Sequence, residues 1–443
     1  MYFTRMAVLL GVFALATIVV AEEPRPTSSA GTQRPLDANE VKTQIEALGS
    51  KDYREREKAG KALAAMGERA RSLLRAALQT SEQPEVVRRL EALLAHVESD
   101  RLIRPTLVTL NLKNASVKTA FRELSRASGY DLKCQGTWQE KIALDVVDRP
   151  FWEVVDKLES QTGAMVQFVE DGKQRFQVAA TDSRNPYVHV NGPFRITAQN
   201  INSNRNLQLA QLPRRGHVPQ PEYIGMTFLL HSEPKVAILA VNQVIVSKAV
   251  DDKGVSLAQP ADENVEIAQS GVGFNRSRQQ SFGISLNRGD RDATLIKELK
   301  GKLSLVLLSE ERAEITVLKP TASEKKKFAG HTVDMELNKA SFDEQSGQAD
   351  FIITFRQRQP TPNDNSWTNS IYQMVHLTDD LGRQYELNGI NDQNFGEGSI
   401  RVSLSFSPRN GVNKAKPPAK LELMEWVTQK HEVNFSFSDV PLP

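Results

Sequence analysis

The placing of apolar residues changes rhythm along the chain. Between Leu36 and Ser99 they recur three and four apart, so that Ala59, Leu63, Met66, Ala70, Leu73, Leu74 and Leu78 share one helical face. Gly67 divides this stretch into two shorter helices. A further helix begins near Pro84, a good first-turn residue after Ser81, and carries Val86, Val87, Leu90, Leu93, Leu94 and Val97. Arg54, Glu55, Arg56, Glu57 and Lys58 fall mostly off the stripe and read as a solvated face.

From Thr106 to Ala180 the period alternates between two and 3.6, and the alternation occurs twice. Val108, Leu110 and Leu112 mark a strand, and Val117, Ala120, Phe121 and Leu124 a helix, followed by Gly129 and Leu132. The second copy has Ile142, Leu144 and Val146, then Phe151, Val154, Val155 and Leu158, then Gly163 and Val166. Matched positions are offset by 34: 110 to 144, 112 to 146, 124 to 158 and 129 to 163. Each glycine stands where a helix C-cap takes a left-handed residue. The unit is strand-helix-strand used twice, with a last strand at Arg175 to Val178 after an Asp171-Gly172 turn.

From Asn185 onward the pattern is β. One set of apolar or alternating runs covers Phe194–Ile196, Met226–Phe228, Val236–Val246, Phe282–Leu286, Leu303–Leu307 and Ile315–Val317. A second covers Val333–Leu337, Phe351–Phe355, Ile371–Leu377, Ile400–Phe406, Leu421–Trp426 and Val433–Phe437. Asp251-Asp252-Lys253-Gly254 answers Asp379-Asp380-Leu381-Gly382 at an offset of 128. Lys302-Leu303-Ser304-Leu305 answers Lys420-Leu421-Glu422-Leu423, and Glu314-Ile315 answers Glu432-Val433, at 118. The expectation is two tandem β-sandwiches joined near Lys319 to Gly330, with the Ser323–Lys327 run as a solvated linker.

Two of these regions resemble known families. The paired helices of residues 36–99 resemble a HEAT-like or armadillo-like repeat, of which the stretch holds one or two units, fewer than the three usually needed for independent stability. The duplicated pattern of residues 106–180 resembles the short N-terminal domain of secretins and TonB-dependent receptors. That resemblance implies a small periplasmic α/β module that makes protein contacts. It implies no transport pore here, because no barrel follows.

The N-terminus departs from all of these. Arg5 precedes an apolar run from Met6 to Val20, Val19 and Ala21 satisfy the small-residue rule, and Glu22-Glu23-Pro24 opens a polar stretch. This is the order of a secretory signal peptide, residues 1–21. Its apolar run is shorter than the ~20 residues that span a bilayer; an uncleaved anchor is the alternative. No cysteine near the cleavage site could accept a lipid, and no membrane span is expected in the mature chain. Residues 22–35 read as a linker, broken by Pro24, Pro26, Gly31 and Pro35. The chain is expected in the periplasm or outside the cell.

Composition changes little in this picture. Of 443 residues, 56 are basic and 54 acidic, a balance that gives no reason to expect a nucleic-acid partner. Cys134 is the only cysteine, so an exported chain has no internal disulfide, and the thiol reads as buried or inert.

Candidate chemistry is sparse. The Asp-Asp-x-Gly pairs read as turns rather than calcium loops, which want 6–8 oxygen ligands. The seven histidines form no HExxH or other close metal spacing. No GxSxG elbow or phosphate loop occurs, and Gly271-Val-Gly273 lacks the third glycine and following helix of a dinucleotide site. Neither a cofactor nor a metal is expected. Trp367, in the polar loop from Pro360 to Asn369, and Tyr372 are the candidate ligand-binding residues, since sugars stack on aromatic faces.

The fold class expected is therefore multidomain: an N-terminal helical unit (36–99), a small α+β domain (101–180) and two tandem all-β sandwiches (185–320 and 328–443). The function expected is that of an exported, non-enzymatic envelope protein that docks or scaffolds protein partners. A carbohydrate-binding array recognising polysaccharide is the alternative, and a hydrolase with a site in a sandwich loop comes third.

Overall fold

The computed structural model describes residues 37–170, 174–181, 185–204, 222–258, 276–360, 366–396, 398–408 and 416–443. The expected signal peptide, the linker at 22–35, His217, the Asp171-Gly172 turn and Gly271-Val-Gly273 lie outside them. The chain is a mixed α/β protein, mostly strand, with several sheets and a few helices. It divides into two compact units, Met1–Leu90 and Glu91–Pro443.

In the first unit, α1 (Ala38–Ala47) and α2 (Tyr53–Met66) each start on an aspartate. Asp37 accepts from Asn39 N and Asp52 from Arg54 N, satisfying amides that the helix leaves unpaired. α2 stops at Gly67, whose φ of 54° is a conformation that favours glycine. A 3-10 turn leads into α3 (Arg71–Thr80), and α4 begins at Pro84 and runs to Ile103. Of the predicted stripe, Ala59, Leu63, Ala70 and Leu74 are buried, and Met66, Leu73 and Leu78 half-buried.

The duplicated region folds as two copies of one unit. β1 (Leu107–Ser116), α5 (Val117–Ser128) and β2 (Asp131–Cys134) form the first. β3 (Lys141–Pro150), α6 (Phe151–Thr162) and β4 (Ala164–Glu170) form the second, followed by β5 (Gln174–Ala180). β1 and β3, and α5 and α6, begin 34 residues apart. Gly129 and Gly163 both cap their helices left-handed, at φ 74° and 64°. Even the two strained positions, Asn114 (φ 52°) and Asp148 (φ 48°), keep the offset. β1 pairs with β3, and β2-β5-β4 form a second sheet. Both sheets and helices enclose a core around Phe121, Phe151, Trp152 and Phe176.

The β region also repeats. β6 (Val188–Asn191), β7 (Phe194–Asn204), β8 (Tyr223–Ser232), β9 (Ala237–Asp251), β10 (Gln279–Asn287) and β11 (Leu295–Leu318) make the first set. The second set is β12 (Lys326–Phe328), β13 (Val333–Phe342), β14 (Ala349–Gln357), β15 (Val375–Thr378), β16 (Tyr385–Gly396), β17 (Ser399–Pro408) and β18 (Lys420–Pro441). One sheet runs β10-β8-β7-β6 and another β12-β13-β14-β17-β16. Residues 371–374, expected as the start of a strand, form a 3-10 turn before β15.

The Asp-Asp-x-Gly sequences are turns of the same build. Asp251 Oδ1 accepts from the amides of Lys253 and Val255, and Asp379 Oδ1 from those of Leu381 and Arg383. Single bridges close the two turns, Val250 to Ser256 and Thr378 to Gln384, again 128 apart.

The expectation of two sandwiches separated at residues 319–330 needs a correction. Runs read as separate strands are single ones: Leu303–Leu307 and Ile315–Val317 both belong to β11, and Leu421–Trp426 and Val433–Phe437 to β18. These two strands pair antiparallel from Leu295↔Pro441 to Leu318↔Lys420, within a third sheet, β15-β18-β11-β9. Leu299, Leu303, Leu305 and Leu307 of β11 face the first β core, whereas Ile315 and Val317 face the second. β18 does the reverse: Leu421 and Leu423 enter the second core, and Val433, Phe435 and Phe437 the first. Each repeat therefore lends half of its last strand to the other. Bulges at Leu308/Glu310 and Ala313/Ile315 lie where the ribbon passes between cores. The physical reason is continuity of the ladder: a strand that keeps its partner keeps its backbone bonds satisfied and has no cause to stop at a core boundary.

Candidate functional site

Helix α6 has two buried faces. Phe151, Trp152, Val154, Val155 and Leu158 enter the α/β core, Trp152 at its margin, while Asp156 and Glu159, three apart, lie on another side. That side meets the outer face of the sheet containing β7, β8 and β10. There Arg195, His231 and Gln279 stand in one row across three strands, fixed by the registers Arg195↔His231 and His231↔Gln279. Trp152 Nε1 donates to Pro193 O at 3.1 Å, and the Arg195 guanidinium lies 5.6 Å from the centre of the Trp152 ring.

Arg195 is the hub. Its Nη2 lies 2.5 Å from Glu159 Oε2 and 2.7 Å from Asp156 Oδ1, with its side chain only 9% exposed. The bond to Glu159 is well directed; the Asp156 oxygen is at ion-pair distance but off the hydrogen-bonding direction. Glu159 Oε1 also accepts from Val166 N at 2.7 Å, on the edge strand β4. One guanidinium thus serves two carboxylates. Burial, and after it the neighbouring Glu159, outweigh the pull of Arg195, and the Asp156 carboxyl is pushed up to about 6. Burial, helped by the Arg195 charge, pushes His231 down to about 4, so its ring is neutral at pH 7. His231 Nε2 lies 3.1 Å from Gln279 Oε1.

A second buried carboxylate completes the joint between the α/β region and the β region. Glu233, just after β8, has a fully buried side chain. It accepts from Thr106 N (3.0 Å), Thr106 Oγ1 (2.6 Å) and Tyr130 Oη (2.7 Å), and Lys235 Nζ lies at 3.3 Å. Burial and then the Glu233 charge push the Tyr130 hydroxyl well above its usual range.

Beside α6 these elements leave a crevice of 1160 Å³. Its walls are α6 and β4 on one side and β7, β8 and the end of β18 on the other. Residues Ala164–Phe168 and Thr197–Ile201 run along it as continuous backbone. Arg195, Thr197 and His231 line it, and each carries a buried polar atom without a hydrogen-bond partner among the described residues: Nε, Oγ1 and Nδ1.

The candidate residues read from sequence lie elsewhere. Trp367 and Tyr372 sit on adjacent 3-10 turns, Ser366–Asn369 and Ile371–Met374, and both pack half-buried against the second β core. Trp367 O accepts from Ser370 N and Oγ, which fixes the turn. Cys134 is half-buried, and burial raises its thiol pKa against the opposite pull of Lys118. Asp156, Glu159, Arg195, His231 and Glu233 escaped notice because charged residues on an amphipathic helix and at strand ends look solvated until tertiary packing covers them. The one sign in sequence was Trp152, an aromatic off the helix stripe that faces the core.

No family model matches the chain, and no curated protein matches it. Among solved structures, the crystal structure of the conserved domain protein from Bacillus anthracis matches at 9% identity with a TM-score of 0.15, over 56% of this chain and 88% of that one. A likeness at that level carries no inference about fold or activity. Among the described residues no helix is long and apolar enough to cross a membrane.

Proposed function

We propose that this chain is an exported, non-enzymatic envelope protein that binds and scaffolds other proteins. The observation that carries the reading is how its buried charges are used. Arg195, Asp156, Glu159 and Glu233 join an α/β module to a β region, so repeated modules form one compact unit. Such an arrangement holds surfaces in fixed register, which suits a scaffold. The signal-peptide pattern of residues 1–21 and the resemblance of residues 106–180 to the secretin and TonB-dependent receptor N-terminal module support an envelope setting. Trp367 and Tyr372, half-buried against the core, favour the protein-binding reading over the carbohydrate one.

The test is chemical cross-linking of the full chain in the envelope of cells that make it, followed by identification of the adducts. A discrete protein adduct, recovered again when that partner is the bait, is the expected result. Absence of any adduct, together with turnover of an ester, peptide or glycoside substrate, would overturn the reading.

A further inference from the structure

We propose that the crevice beside α6 receives a positively charged side chain, a lysine or arginine flanked by apolar residues, from a polypeptide partner. This rests on the protein-binding reading above and names the chemistry of what is bound.

Charge is the first argument. Among the described residues the charged groups lining the crevice are Asp156, Glu159 and Arg195, and His231 is neutral at pH 7. One positive charge faces two negative ones, leaving an excess negative charge in a partly dry site. Glu159 is engaged by Arg195 and Val166 N, whereas Asp156 Oδ1, 2.7 Å from the same Arg195 Nη2, receives no well-directed hydrogen bond among the described residues. A cation entering the crevice would meet the carboxylate that the fold leaves least satisfied.

Three further atoms lining the crevice have no hydrogen-bond partner among the described residues: the donor Arg195 Nε, already beside two carboxylates, and Thr197 Oγ1 and His231 Nδ1. Thr197 and His231 are each only 7% exposed. Gln279 Oε1 can only accept, so His231 Nε2 carries the proton and Nδ1 is left as an acceptor. Thr197 Oγ1 can accept as well. Together with Asp156 they offer acceptors of the kind an ammonium with three donors requires. Met165, Phe168, Ile201 and Leu229 line the same walls and would cover the stem of such a side chain and its neighbours. An anionic ligand would add to the excess negative charge that Asp156 and Glu159 leave around the single Arg195, and a purely apolar one would leave that excess in place.

Linkage supplies an additional readout. The groups facing Asp156 are Arg195 from β7, Glu159 and Glu153 from its own helix, and, through Arg195, His231 from β8. A bound cation favours the ionised carboxyl, which titrates at about 6 in the free protein. Affinity should therefore rise between pH 5 and 7 and then level off.

The experiment is calorimetric titration of the full chain, at pH 7.5 and low salt, with the peptide acetyl-Ala-Leu-Lys-Leu-Ala-amide and with its Glu counterpart. The lysine peptide should bind and the glutamate peptide should not. Asp156→Asn and Thr197→Val, both close in shape to the originals, should each weaken binding, the former about fivefold or more. No binding of the lysine peptide, equal binding of both peptides, or affinity unchanged in both variants would overturn the proposal. A partner found by cross-linking that attaches equally to Asp156→Asn would also overturn it while leaving the scaffold reading intact.

Discussion

Asn111 and Asp145 occupy the same position in two copies of one unit, and they bond to each other. They lie opposite in the β1–β3 ladder, and Asn111 Nδ2 donates to Asp145 Oδ1 at 3.3 Å. An approximate two-fold axis therefore passes between them. Their neighbours obey it too: Leu110 faces Val146, and Leu112 faces Leu144.

The paired helix caps turn this duplication into a comparison within one protein. Gly129 and Gly163 hold equivalent left-handed conformations, but their surroundings differ. Among the described residues, an added Cβ at Gly129 meets nothing within 4 Å, whereas at Gly163 it lies 3.2 Å from Thr181 O. Gly129→Ala should cost about 1 kcal/mol from backbone strain alone, and Gly163→Ala more, since a backbone atom must also move. Urea denaturation of the two variants checks the order; equal losses would refute it.

Glu233 should be the costliest carboxylate to remove. Glu233→Ala leaves the Thr106 amide, the Thr106 and Tyr130 hydroxyls and the Lys235 ammonium without their shared acceptor. A loss of about 3 kcal/mol is expected, with Glu233→Gln losing less because one acceptor oxygen remains. Denaturant midpoints for both variants test this. A Glu233→Ala midpoint equal to the parent's would show that the joint does not depend on it.

The Asp156–Arg195–His231 cluster makes opposed contributions to stability over one pH window. Asp156 titrates at about 6 folded against 3.8 ordinarily, so the folded state holds a proton that the unfolded state releases, and this contribution is lost as pH rises from 4 to 6. His231 titrates at about 4 folded against 6.5, so its contribution is lost as pH falls from 6.5 to 4. Relative to the parent, Asp156→Asn should lose more stability on acidification from pH 6.5 to 4.5, and His231→Gln less. Denaturant midpoints at the two pH values measure both, and parallel shifts in all three proteins would contradict the assignment.

Local pattern was readable from the sequence; long-range pairing was not. The 34-residue offset found both copies of the strand-helix-strand unit, because Leu110 and Leu144, or Gly129 and Gly163, each report on their own strand or cap. The 118-residue offset was equally real, yet it concealed what Leu303 and Leu421 do. Both are buried leucines on equivalent strands, but one enters the first core and the other the second. Alternation fixes which face of a strand is apolar and is silent on which core covers it. The crevice was invisible for a related reason: Asp156 and Arg195 are 39 positions apart, and only the register of β7 beside α6 joins them.

Residues 91–443 form one unit closed by exchanged strands, and Phe435 tests this directly. It lies near the C-terminus, beside the second repeat in sequence, but its ring packs into the first β core against Phe228, Phe282 and Phe437, and a Cβ at Gly301 would collide with its ring edge. Phe435→Ala should cost about 3–5 kcal/mol. The measurement is hydrogen exchange on that variant. Protection should fall in β7, β8 and β10, which wall the first core, and persist in β13, β14 and β17. Loss of protection confined to β13, β14 and β17 would contradict the strand exchange, and with it the single scaffold built on it.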